Sequence, residues 1–324
     1  MRAFAIFLVC LLALNARAEL QLVRTIPLPN VEGRIDHMAV DAAGQRLFVA
    51  ALGNNTVEVV DLKAGKKTQS FFGFTEPQGI VYVPEFNKLF VANGADGSVR
   101  VLDDHSFKTI GTVQLGDDAD NARYDEKAKV VYVGYGDGAL AAIDAKTGTK
   151  VADIKLAAHP ESFRLETGGS RIFVNVPGAD QIDVVDRQKD SVIQTWPLKG
   201  AKANFPMILD ETDHRLFVGC RSPAKVLIYD TSGSNHLVAS VPISRDVDDL
   251  FYDARNKLLY ASCGAGNLEV IKQLAANNYK KLELIPTAPG ARTSLFIPAL
   301  KMFCLAVPHR GIQNAELWIY RLKQ

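Results

Sequence analysis

The run Arg46-Leu47-Phe48-Val49-Ala50 returns, altered, six more times along the chain. Its later copies centre on Phe90, Tyr132, Phe173, Phe217, Tyr260 and Phe303. The aromatic therefore recurs at steps of 42, 42, 41, 44, 43 and 43 residues. Such a period means that each unit is one supersecondary element that cannot bury its own faces, so that neighbours must stack to build a core.

Each unit reads as four short strands. In the first, Met38–Asp41 is an inner strand, and Ala42-Ala43-Gly44-Gln45 turns it into residues 46–52. A Gly53-Asn54-Asn55 loop leads to residues 56–62, whose alternation and β-branched content mark a half-buried strand. Lys63-Ala64-Gly65-Lys66 makes the next hairpin, and the more polar residues 67–72 face outward. The third strand ends on Asp61, Asp103, Asp144, Asp186 and Asp230 in the first five units. The sixth unit has Lys272 there, with a longer connection expected over residues 273–278.

The seventh unit stops after its third strand, residues 317–322, whereas residues 20–28 form a spare strand ahead of unit one. Lending the spare strand to the last unit removes both exposed edges, which would otherwise be templates for pairing. The expected fold is all-β: a seven-bladed β-propeller of four-stranded antiparallel blades, the last blade closed by the N-terminal strand. A linear solenoid would instead want capping repeats and gains nothing from a split last unit.

Arg2 precedes an apolar run over residues 3–14, and Ala16-Arg17-Ala18 offers small residues where a signal peptidase reads. Residues 1–18 are thus expected to be a cleaved signal peptide, and residues 19–324 a single domain, periplasmic or secreted. Cys10 follows Val9 rather than the small residue that lipidation wants. The apolar run is too short to span a bilayer, and no later stretch approaches about 18 apolar residues, so no transmembrane segment is expected. The remaining cysteines, Cys220, Cys263 and Cys304, are odd in number, lack a C-x-x-C pair and sit in apolar strands, which suits buried thiols.

Removing residues 1–18 takes two of 37 basic residues and none of 36 acidic ones, leaving a balance near −1. That gives no support to nucleic-acid binding, which wants a basic stripe. A monomer is expected.

In a propeller, the loops entering the inner strands and those joining the second and third strands share one face around the central channel. Residues 11–14 before each aromatic should ring its mouth. Twelve before, they are Asp36, Gln78, Asp120, Glu161, Phe205, Asp248 and Ala291; eleven before, His37, Gly79, Asn121, Ser162, Pro206, Asp249 and Arg292. Arg34 and His159 lie fourteen before and Asn204 thirteen before. His309 and Arg310, after the last aromatic, are expected to join them.

Four carboxylates in one ring repel unless cations or protons relieve them. Arg34, Arg292 and the two histidines are relief within the protein. A divalent cation such as Ca²⁺ is the other relief, with Asp120, Glu161 and Asp248 as metal ligands and Asn121 beside them. The competing reading is that these groups only hydrogen-bond strand ends and channel water. Ser162 and Thr293 lie near the mouth, but no G-x-S-x-G elbow marks a nucleophile. His105, His214 and His236 fall in turns of the opposite face.

Phe90-Val91-Ala92-Asn93 and Phe173-Val174-Asn175, with strand endings Val59-Val60-Asp61 and Val184-Val185-Asp186, resemble the YVTN-repeat β-propeller family. The resemblance covers nearly all of residues 19–324. It implies an exported bacterial propeller, similar to those of surface-layer proteins and of quinoprotein and nitrite-reductase propellers. No C-x-x-C-H haem motif is present. The first expectation is a non-enzymatic protein that binds a small polar molecule or protein partner at its acidic mouth. A metal-dependent lactonase or esterase is the alternative, because the mixed Asp/Asn/Glu mouth looks like that of gluconolactonase-type propellers. A quinoprotein-like oxidoreductase is a third, with only Phe205 in the ring to stack on a cofactor.

Overall fold

The computed structural model describes residues 20–233 and 236–322, so the expected signal peptide lies outside the described residues. Seven sheets of four antiparallel strands follow one another, and the strands of each blade are labelled a to d from the channel outward. Blade 1 consists of Met38–Asp41, Arg46–Ala51, Thr56–Asp61 and Lys66–Phe71. Blade 7 consists of Thr293–Ile297, Met302–Val307 and Glu316–Leu322, with Leu20–Pro27 as its outermost strand. That pairing runs from Leu20↔Leu322 to Pro27↔Glu316 and closes the ring.

Local chemistry sets the strand ends. Oδ1 of Asp61, Asp103, Asp144, Asp186 and Asp230 accepts the backbone N–H of Ala64, Ser106, Thr147, Gln188 and Ser232 respectively, at 2.6–2.9 Å. Such side-chain turns stop strand c and start the hairpin to strand d. In every blade the c–d pairing carries a bulge whose extra residue lies on the outer strand. These residues are Thr68, Ile110, Val151, Ile193, Val238, Leu282 and, in blade 7, Val23. A bulge twists an outer strand away from the flat geometry that would accept another chain.

Alternate residues of strand b face opposite neighbours, so the core is seven apolar clusters, one between each pair of adjacent blades. Phe48 packs toward blade 2 while Leu47 and Val49 pack toward blade 7. Blade 7 corrects the expected register. Phe303 faces the cluster shared with blade 6, and Cys304 pairs with Leu295 as Phe48 pairs with Ala39, nine residues back in both cases. Lys301 also occupies the left-handed turn position three before Cys304, as Gln45 does three before Phe48. Cys304, not Phe303, is the seventh counterpart of the aromatic. A shift of one residue exchanges the two faces of a strand.

Blade 6 departs from expectation too. Residues 273–278 are not a long connection, because strands Asn267–Ala275 and Asn278–Pro286 extend the hairpin to the pair Ala275↔Asn278. Arg215 of blade 5 reaches across to the carbonyl oxygen of Ala276 at 3.2 Å and to Asn277 Oδ1 at 2.7 Å. Cys220, Cys263 and Cys304 are buried and free.

Candidate functional site

A bulge at the top of strand a builds the channel mouth. The Asp36 N–H donates to the Ala50 carbonyl at 2.8 Å, and the Ala50 N–H donates to the His37 carbonyl at 3.0 Å. Asp120 and Asn121 share Gly134 in the same way, and Glu161 and Ser162 share Asn175. In blade 6 the ladder skips Asp248 between Val247↔Cys263 and Asp249↔Ser262. Two residues thus oppose one, and both side chains of each pair border the same cavity. The break in period-2 alternation is what a bulge beside a site provides.

The cavity encloses about 230 Å³. With Cys304 as the seventh marker, Arg292 moves into the ring twelve residues before, in place of Ala291. Asp36, Gln78, Asp120, Glu161, Phe205, Asp248 and Arg292 then supply one residue per blade, and all seven line the cavity. Ala291 is buried in the core between blades 6 and 7. Arg34, His37, Asn121, His159 and Asp249 complete the expected residues around it.

Asn204 does not line the cavity. It is fully buried, and its Nδ2 donates to Asn175 Oδ1 at 2.8 Å and to the Gln181 carbonyl at 2.9 Å. Asn175 in turn donates to the carbonyl oxygens of Phe205 and Pro206, at 2.9 and 3.2 Å. The two asparagines hold the loop that presents Phe205. His309 and Arg310 border a neighbouring groove of about 350 Å³ that shares Arg34 and Arg292 with the mouth. His309 there pairs with Glu32 at 2.7 Å.

Asp118, fourteen before Tyr132 and so within the expected window, also lines the cavity. Arg221 lies outside that window and reaches in from the end of strand Arg215–Ser222 of blade 5. Arg221 lies 3.6 Å from the Phe205 ring centroid and donates to Asp248. Arg292 binds the other Asp248 oxygen at 3.0 Å and Asp246 at 2.6 Å. Asp248 is therefore held by two guanidiniums rather than grouped with Asp120 and Glu161. Burial still raises its pKa to about 6, against the pull of Arg292 and Arg221.

Gly79 shapes the wall between blades 2 and 3. A Cβ at this position would stand 2.0 Å from the Asp120 carbonyl oxygen, so only glycine allows the two blades to approach.

Among the described residues, neither Asp120 nor Glu161 is ion-paired to an arginine, although Arg34 and Arg221 act on them at longer range. Burial, then the charge of Glu161, pushes the Asp120 carboxyl well above its ordinary range. Glu161 is pushed up to about 8, by burial first and then by Asp248 and Asp36. Asp120 Oδ1 is buried with no hydrogen-bond partner. His37 is pushed down to about 4 by burial and stays neutral near pH 7. His159 Nδ1 lies 2.7 Å from the Gly136 carbonyl, which can only accept, so Nδ1 carries the proton. In the neutral ring Nε2 then keeps its lone pair, as in histidines that bind a metal through one nitrogen while the other donates to a carbonyl.

One donor atom each from Asp120, His159 and Glu161 lies within 4.8 Å of the others, as do those of Asp36, His37 and Asp120. Sets that mix imidazole nitrogen with carboxylate oxygen suit a divalent transition metal, whereas Ca²⁺ wants six to eight oxygens. Asn121 Oδ1 already accepts from Arg123 at 3.2 Å.

No family model matches the chain. It is 22% identical over 241 residues to the uncharacterized protein YncE of Salmonella typhimurium, spanning 69% of this chain and 67% of that protein. YncE of Salmonella typhi gives the same figures. Among solved structures, Kuenenia stuttgartiensis hydrazine synthase superposes with a TM-score of 0.76 at 17% identity, over 86% of this chain and 94% of its own. A chain of a mitotic checkpoint complex superposes with a TM-score of 0.80 at 14% identity, over 100% and 99%. At these identities the structural likeness concerns the fold.

Proposed function

We propose that the protein is an exported binding module whose channel mouth takes a small polar ligand carrying a positive charge. The facing pair Asp120 and Glu161 carries this reading. The cavity holds six carboxylates and three guanidiniums, and the arginines are engaged by Asp36, Asp246 and Asp248. Asp120 and Glu161 make no such ion pair among the described residues, and the charges of Arg34 and Arg221 lower them too little to cancel the upward shift, so an incoming cation would replace their protons. The Arg2-led apolar run and its Ala16-Arg17-Ala18 site support export. Intact mass of the chain recovered from the periplasm tests this, and retention of residues 1–18 would refute it.

The binding test is thermal unfolding of residues 19–324 after EDTA, with Ca²⁺, Mg²⁺, Mn²⁺, Zn²⁺, ethanolamine or lysine added. A native-state ligand at a hundredfold excess over its Kd adds about 2.7 kcal/mol. The expected result is one saturable shift, lost in Asp120→Asn and in Glu161→Gln. No shift with any of these ions would remove the mouth as a cation site.

The cluster Asp120, His159 and Glu161 favours a second reading, a metal-dependent hydrolase in which a bound cation would activate water. A selective Mn²⁺ or Zn²⁺ shift together with lactone or ester turnover would establish it. The quinoprotein reading fares worse, because Arg221 already covers a face of Phe205.

A further inference from the structure

Next to the mouth, sharing His37 and Asp249 with it, lies an inner chamber of about 260 Å³ between the a strands. Nine residues before each marker stand Ala39, Val81, Arg123, Arg164, Ile208, Phe251 and Leu295. Two adjacent blades thus place an arginine where the other five carry an apolar side chain. Both arginines line the chamber. Arg123 donates to the Ala122 carbonyl and to Asn121 Oδ1, but its Nε is buried with no partner. Arg164 donates no hydrogen bond to any described residue, and its Nε is buried as well. The Tyr124 hydroxyl, also of the chamber wall, is a third buried polar group with no hydrogen-bond partner.

The chamber holds one carboxylate, Asp249, whose Oδ2 is occupied by the Ser294 N–H at 2.7 Å. Burial and the repulsion of Arg123 depress the Arg164 pKa to about 9, so it remains charged at neutral pH. Two half-buried guanidiniums against one carboxylate leave a positive excess with unused donors. Buried charges are ordinarily paired, and a guanidinium fork matches the two oxygens of a carboxylate. Met38, Val40, Ile80, Val81, Phe251 and Leu295 give the wall an apolar stretch, beside His37, Tyr82, Tyr124 and Ser294.

We propose that this inner chamber is a second binding site, for a small organic carboxylate. Its anionic group would be shared by Arg123 and Arg164, and its apolar body would lie against Ile80, Val81 and Phe251. The apolar wall favours such a ligand over inorganic phosphate. A second cavity, of about 630 Å³, shares Arg123 and Arg164 and is bordered by Glu126, Lys127 and Thr167, which offers a route that bypasses the mouth. The proposal stands independently of the cation reading of the mouth.

The test is titration of residues 19–324 with hexanoate, benzoate and inorganic phosphate at constant chloride, followed by calorimetry and thermal unfolding. Saturable binding of at least one carboxylate is expected, abolished by Arg164→Met and weakened at least tenfold by Arg164→Lys, which keeps the charge but loses the fork. Glu161→Gln should leave carboxylate affinity within threefold. Without ligand, Arg164→Met should melt no lower than the parent, because it removes a half-buried charge that makes no ion pair with a described residue. Absence of saturable binding, binding that survives Arg164→Met, or loss of binding in Glu161→Gln would overturn the site. Phosphate binding as tightly as hexanoate would overturn the role given to the apolar wall. A fall of more than about 5 °C in unliganded Arg164→Met would mark a structural arginine instead.

Discussion

A carboxylate oxygen of Asp120 and one of Glu161 lie within 4.8 Å of each other across adjacent blades, and among the described residues neither is ion-paired to an arginine, Asp120 having the neutral His37 ring at 3.8 Å. The fold holds them together although their charges repel, because each is fixed by a backbone bulge at the top of its inner strand. Stability is spent on this arrangement, and relieving it should be measurable.

Glu161→Gln keeps the shape and removes the charge. Each unit of pKa shift corresponds to about 1.4 kcal/mol, so above pH 8 the variant should be more stable by on the order of a few kcal/mol. Urea unfolding at pH 8.5 measures it. A variant no more stable than the parent would show that water or a neighbour already relieves the pair.

The pH dependence follows from the same groups. Glu161 keeps its proton to about pH 8 in the fold, against 4.5 ordinarily. Between those values the native state binds the extra proton, so unfolding free energy falls as pH rises. Asp248 acts with the same sign up to about pH 6. His37 acts oppositely below 6.5, because the native state excludes its proton down to about pH 4. The window from pH 6.5 to 8 is therefore free of His37, and stability should drop across it. Glu161→Gln should make that drop shallower; an equal slope in both proteins would contradict the assignment.

Gly79→Ala places a methyl group against the Asp120 carbonyl. A backbone neighbour cannot rotate away, so the cost should be about 1–3 kcal/mol. The cation response of the mouth should weaken with it. Unchanged urea midpoint and binding would mean that blades 2 and 3 separate freely.

The closing strand is testable by one side chain. Ile26 is fully buried in the cluster between blades 7 and 1. Ile26→Ala should cost about 2–5 kcal/mol, and removal of residues 19–28 more. An unchanged melting temperature after truncation would refute a closure that contributes to stability.

Much of this was legible in sequence because a repeat restates its own chemistry. Asp61 and its four counterparts mark the same hairpin five times, and the β-branched third strands fix which face is buried. The seventh unit misled where that redundancy failed. Phe303 draws the eye, yet the alternation of Met302, Cys304 and Ala306 decides the register, and the aromatic fills the opposite core. Asn204 and Arg221 show a second limit. Both lie near the mouth in sequence, but hydrogen bonds across blades turn one into the wall and bring the other onto Phe205 and Asp248. Arg123 and Arg164 did leave a signal, since charges in an otherwise apolar ring stand out once the strands are aligned.

The pairing of Leu20 with Leu322 carries one more consequence. Those two residues are far apart along the chain and opposite each other in the last sheet. The first and last strands are thus already shaped as a hairpin that lacks only its turn. A chain opened within Lys63-Ala64-Gly65 and joined from residue 322 to residue 20 by a short glycine turn would retain all seven apolar clusters. A ring fastened this way has a beginning in its gene and none in its architecture.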